Sequence, residues 1–308
     1  MDSFGRILVG TDFSDSSHAA LRQAASLGQT CGAETHVAHV IDTLGENPLV
    51  EAYRVAINDR ILIDALVQES SRLMKTFINR SGIDEGAVKS VQVRGPRPAH
   101  ALVDYARKEE MDLIAVGTHG RSGLKRLLLG SVARAVVAES DIPVLVARER
   151  IGSDTDQPVQ RILVPLDLSD NSVSGLRAAH KLATLFRAQL EIVNVLERFA
   201  FPVSLTTIKT LRDLVPDVEE RVHQMVVDLV KDLRGPYIPH RIHVREGIPA
   251  PVILDFVNEL GCDLIVMTKR GLSASERFVV GSTTEKVLQG ASCSVYVEPP
   301  VSTPASAA

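Results

Sequence analysis

The chain has 308 residues, 45% hydrophobic and 23% charged, with 20 glycines and 15 prolines; this excludes collagen-like, low-complexity and wholly disordered classes and is long enough for two domains. Net charge is −4, from 34 basic against 38 acidic side chains, so a nucleic acid or an anionic membrane surface would need a local basic patch, and no basic run is long enough to make one. Aromatic residues are 4% and Trp is absent, leaving Ala, Val, Leu and Ile to fill a core, as helices packed on a parallel sheet allow.

In chain order, the apolar run 6–10 reads as a strand. It begins too early to leave room for a signal peptide, and no apolar stretch approaches the roughly 18 residues of a membrane helix, so a cytoplasmic chain without membrane insertion is expected. Ala20, Ala24, Leu27 and Cys31 then recur at helical spacing, with Asp15 or Ser16 expected to cap that helix. Strands follow at 35–41, 88–94, 112–117 and 142–147. Between them, Leu66, Ser70, Leu73 and Phe77 mark a longer helix ending near Gly82, and Pro98 opens a third. This βαβα rhythm predicts an α/β fold: a doubly wound parallel sheet of five strands with helices on both faces, and a ligand site beyond the carboxyl ends of the strands.

The chain then repeats itself. Residues 6–15, RILVGTDFSD, lie over 161–170, RILVPLDLSD, at an offset of 155; Leu21, Arg22, Ala24, Leu27 and Val40 meet Leu176, Arg177, Ala179, Leu182 and Val195. Later the offset falls to 151, where Gly120, Gly130 and Ser131 meet Gly271, Gly281 and Ser282. In the second copy, Val222, Val226, Leu229 and Leu233 predict a helix that stops at Gly235-Pro236, and Pro249 opens the next. The expected organisation is a first domain over 1–148, a linker over 149–160, a second domain over 161–299 and a disordered tail over 300–308.

After the fourth strand comes Gly117-Thr118-His119-Gly120, then nine residues, then Gly130-Ser131 opening an apolar helix at Val132. Glycines let the backbone approach a phosphate without an intervening Cβ, and the amides of Gly130, Ser131 and Val132 are first-turn donors that a helix leaves unpaired. Arg121, Lys125 and Arg126 add positive charge. The alternative is a plain strand-to-helix connection with Gly-Ser as a cap. Asp12 lies at the same sheet edge, where a carboxylate can accept from an adenine amino group or a ribose hydroxyl, or hold a metal through water; its alternative is a helix cap.

The segment Ile7-Leu8-Val9-Gly10-Thr11-Asp12-Phe13-Ser14 and the G-x2-G-x9-G-S loop resemble the universal stress protein family, in its ATP-binding subgroup, over nearly the whole chain. The resemblance implies strand order 3-2-1-4-5 and a site for ATP or another adenine nucleotide, with or without Mg. Asp12 and Val40 would line the adenine, Gly117 and Gly120 lie along ribose and phosphates, and Gly130, Ser131 and Val132 hold the phosphates, with Thr11 and Arg121 also expected in the nucleotide site. It also implies pairing of fifth strands, which here would join 142–147 to 293–297 as an intramolecular pseudo-dimer, with a further homodimer open.

The second copy, with Asp167, Val195, Gly271, Gly281 and Ser282 as weaker counterparts, departs from the pattern. Thr268 replaces Gly117, Ala274 replaces Gly123 and Glu276 replaces Lys125. The expectation is that the first domain binds nucleotide, and that the second binds it weakly or takes something else. His36/His39 and His240/His243 lie in strands, where residues three apart face opposite sides, so no metal site is expected. Cys31, Cys262 and Cys293 lack disulfide or zinc spacing. His119 could act as a base or simply contact phosphate, and no pair of nucleophile and base can be named, so no catalytic residue is assigned. The expected function is a stress-response binding or regulatory module; the alternatives are a slow ATP hydrolase or nucleotidyl transferase, or a scaffold whose second domain binds a non-nucleotide ligand.

Overall fold

A computed structural model describes residues 4–41, 59–118, 129–149, 158–197, 215–271 and 280–301, with the side chains of 59–62 left out. The chain divides into unit 1, Met1–Asp156, and unit 2, Gln157–Ala308.

Unit 1 runs β1 (Arg6–Gly10), α1 (Asp15–Cys31), β2 (Glu34–Ile41), α2 (Asp59–Arg80), β3 (Lys89–Arg94), α3 (Pro98–Lys108), β4 (Leu113–Gly117), α4 (Ser131–Glu139) and β5 (Val144–Ala147). Its sheet has the order β3-β2-β1-β4-β5, with neighbouring strands parallel. Ile7, Leu8 and Val9 have no exposed surface, because β1 is central and helices cover both faces. Asp112 ties the amino end of the sheet together: its Oδ2 accepts from the amides of Gly5 (2.7 Å) and Arg6 (3.0 Å).

The stripe Ala20, Ala24 and Leu27 is buried as its spacing predicts. The cap is corrected: Ser14, not Asp15 or Ser16, has the extended N-cap conformation, and α1 starts at Asp15. The chain turns early because Phe13 already adopts φ +66°. Gly32, at φ +72°, ends the helix. His18 and Ser81 hold α1 to the end of α2. Ser81 Oγ donates to the Phe77 carbonyl (2.9 Å), so the 2.6 Å contact between His18 Nδ1 and Ser81 Oγ has the ring nitrogen donating.

Unit 2 repeats the plan with β6 (Arg161–Pro165), α5 (Asp170–Phe186), β7 (Gln189–Glu197), α6 (Val218–Lys231), β8 (His240–Gly247), α7 (Pro249–Leu260), β9 (Leu264–Thr268), α8 (Ser282–Gly290) and β10 (Ser294–Glu298). Its order is β8-β7-β6-β9-β10, again parallel. Asp263 Oδ2 repeats the clamp of Asp112, accepting from the amides of Gln160 (2.6 Å) and Arg161 (2.8 Å). Pro98 and Pro249 each open a helix as expected. A second correction falls on α6, which ends at Lys231 and not at Gly235-Pro236. The intervening turn is held from outside, by a hydrogen bond between His180 Nε2 and the Pro236 carbonyl (2.9 Å). Cys262 and Cys293 are buried, and loss of water around Cys262 pushes its thiol up to about 12.

Candidate functional site

The winding of unit 1 reverses between β1 and β4, whose ends lie side by side with Gly10 opposite Val116. Beyond β1, the Thr11 amide donates to the Ala38 carbonyl (2.9 Å), and His39 Nδ1 lies 2.8 Å from the Thr11 carbonyl. A carbonyl only accepts, so that ring nitrogen carries the proton. The chain then bends at Phe13, whose ring packs against His39 at 4.3 Å and Phe77 at 5.9 Å between centroids.

Asp12 is fixed inside this bend. Its Oδ1 accepts from the Ser14 amide (3.1 Å), the Ser14 hydroxyl (2.5 Å) and the Ser17 hydroxyl (2.7 Å). Burial alone would raise the carboxyl pKa, but these donors outweigh it and hold Asp12 below its ordinary value. Asp12 is therefore ionised at neutral pH. Val40, with 9% of its surface exposed, sits one residue before the end of β2.

At the end of β4, Gly117 lies so close to α1 that a Cβ would come within 2.6 Å of the Ser16 backbone. Helix packing alone thus demands glycine there. Thr118 is buried, and its carbonyl accepts from the Gly130 amide at 2.7 Å. This corrects the expectation of an unpaired Gly130 donor. Gly130 is the N-cap of α4 and brings no side chain to cap it, and the intrahelical bonds begin with the Arg134 amide on the Gly130 carbonyl (3.0 Å). Ser131 and Val132 are exposed in the first turn, where helix amides lack intrahelical partners. Thr11, Asp12, Val40, Gly117, Gly130, Ser131 and Val132 thus all lie along the carboxyl edge of the sheet. Gly120, Arg121, His119, Lys125 and Arg126 lie outside the described residues.

In unit 2 the Gly281 amide likewise donates to the Lys269 carbonyl (2.9 Å) before Ser282 opens α8. Asp167 Oδ1 accepts from the amide (3.1 Å) and hydroxyl (2.6 Å) of Ser169, while Ser172 Oγ donates to the Ser169 carbonyl instead of to the carboxylate. Asp167 Oδ2 lies against Gly271, where any Cβ would collide with it. Val195 is half-buried.

Thr268 does not crowd the loop in the way its β-branch suggests. Its methyl packs on α5 at Gly175, where a Cβ would stand 3.0 Å away, and its hydroxyl donates to the Arg270 carbonyl (2.7 Å). Sequence reasoning missed Ser17, His39 and Asn194, whose Nδ2 donates to the Leu166 carbonyl (2.8 Å). The alignment of the two copies puts His39 over Asn194, and that correspondence was the available signal.

Among the described residues, no group of three or more His, Cys, Asp or Glu could hold a metal ion, and no helix is long and apolar enough to cross a membrane.

The universal stress protein family model matches residues 3–148 and again 158–299. Universal stress protein MJ0531 of Methanocaldococcus jannaschii is 31% identical over 146 residues, covering 47% of this chain and 83% of that protein. A universal stress protein of Mycolicibacterium smegmatis aligns over 300 residues at 22% identity, 96% of this chain and 97% of its own length. Among solved structures, a universal stress protein from Archaeoglobus fulgidus superposes with a TM-score of 0.65 at 23% identity over 96% of both chains, which shows the shared fold. With the family model satisfied twice and the doubly wound sheet present in each half, the chain belongs to the universal stress protein family as a tandem two-domain member.

Proposed function

We propose that unit 1 binds an adenine nucleotide, foremost ATP, and that the chain serves as a stress-response binding or regulatory module. The observation that carries this reading is the start of α4. A helix opens at Gly130, an N-cap residue with no side chain of its own to cap it, at the sheet edge that also holds Asp12. First-turn amides and the helix dipole favour an anion at that point, and Ser131 adds a hydroxyl. The ionised Asp12 can accept from the amino group of the base or from a ribose hydroxyl. Family membership supports a nucleotide site, and Gly120 and Arg121 would complete it along the phosphates. Magnesium would arrive with those phosphates, since Asp12 already spends Oδ1 on three donors and no carboxylate cluster stands beside it among the described residues.

The test is Gly130→Val. At φ −60° and ψ 151° a valine fits the backbone, so the fold should survive while the side chain blocks the phosphates. Calorimetry should show ATP affinity falling by about tenfold or more, the loss of one or two good hydrogen bonds, with unchanged circular dichroism. Unchanged affinity in a folded variant would overturn the assignment.

A further inference from the structure

The two copies keep one hydrogen bond while exchanging the side chain that makes it. In unit 1, His39 Nδ1 donates to the Thr11 carbonyl at 2.8 Å; in unit 2, Asn194 Nδ2 donates to the Leu166 carbonyl at 2.8 Å. Thr11 and Leu166 are equivalent, and each also donates its own amide to the second strand, to Ala38 and Val193, both at 2.9 Å. Imidazole and carboxamide share little except an N–H at this reach. The retained feature is therefore the donor, not the residue.

The position of the bond gives it consequence. The Thr11 carbonyl and the Asp12 amide belong to one planar peptide group, so fixing the oxygen fixes the direction in which Asp12 leaves the strand. Immediately afterwards the chain takes the left-handed conformation at a non-glycine residue, Phe13 at φ +66° and Leu168 at φ +63°. Such a residue persists only where its surroundings determine it. Asp12 and Asp167 then each accept a backbone amide at 3.1 Å, from Ser14 and Ser169. The pinned peptide, the carboxylate and the strained residue follow one another in the same order in both units.

We propose that His39 and Asn194 are positioning residues: each pins the peptide that precedes the edge carboxylate, and in unit 1 His39 thereby sets Asp12 for the nucleotide. The second clause rests on the nucleotide reading above; the pin itself does not. Two readouts on the full chain keep them apart. One is ATP affinity by calorimetry, the other the pH titration of the Asp12 carboxyl carbon by NMR without nucleotide.

His39→Phe retains a ring against Phe13 and lacks the donor, and His39→Asn borrows the solution of unit 2. The Phe variant should bind ATP about tenfold more weakly and titrate Asp12 at higher pH, while the Asn variant should restore both. Should His39→Phe fail to fold, His39→Leu replaces it in the same comparison. Wild-type behaviour of the folded donor-less variant in both readouts would overturn the proposal, as would an Asn variant as impaired as the Phe variant. A wild-type chain that ignores ATP, with the Asp12 titration still moving in His39→Phe and returning in His39→Asn, would overturn the nucleotide reading and uphold the pin.

Discussion

Ser17 decides how much of the Asp12 charge the fold can use. It is 3% exposed, its hydroxyl donates to the carboxylate at 2.7 Å, and together with Ser14 it holds the acid below its ordinary pKa against burial. A carboxyl depressed in the folded state contributes stability above its unfolded value, and that contribution is lost as pH falls through the lower folded value. Ser17→Ala should therefore cost unit 1 about 1 kcal/mol at neutral pH, and the deficit should shrink in acid once Asp12 is protonated in both proteins. Urea unfolding followed in unit 1 at pH 7 and below pH 3 reads this directly; an equal deficit at both would show that the hydroxyl does not serve the charged form. Ser172→Ala provides the control, because that hydroxyl donates to the Ser169 carbonyl and not to Asp167.

Among elements, the seat of the first helix on the fourth strand differs between units by an exchange of size. In unit 1 the bare Gly117 admits the first turn of α1 at Ser16; in unit 2 Thr268 fills the gap and Gly175 of α5 yields to it. Gly117→Thr should destabilise unit 1 by about 2 kcal/mol or more, the usual effect of forcing atoms into a packed contact. Adding Ala20→Gly, which transplants the Gly175 solution, should recover only part, because the Ser16 backbone still stands in the way of the new Cβ. Full additivity of the two costs in thermal unfolding would refute the coupling. The strands, the α1 stripe and the proline-opened helices were legible because periodicity reports burial, and burial built them. The α1 cap and the end of α6 were not. The first depends on the backbone bend at Phe13 and the second on His180, and neither leaves a periodic trace.

For the whole molecule, the βαβα rhythm made the carboxyl edge readable from sequence and the family resemblance supplied the strand order, but neither showed that the Gly130 amide is paired, because its partner is a carbonyl and not a side chain. The comparison of the two loops also left out a charge difference at the helix start. The fourth residue of the loop helix is Arg134 in α4 and Glu285 in α8. A carboxylate in the first turn competes with any other anion there, an effect worth about 0.3–1 kcal/mol at an exposed site. This exchange disfavours a polyphosphate in unit 2, while the backbone frame, with its carbonyl-held N-cap glycine, is the same in both. Calorimetry of the full chain should accordingly find one strong ATP site. Gly130→Val should weaken it by about tenfold or more, and Gly281→Val, the matching change in unit 2, should leave it intact. Two equivalent sites, or a loss of the strong site on changing Gly281, would mean that the conserved backbone frame outweighs the charges and that the units are alike in function as well as in fold.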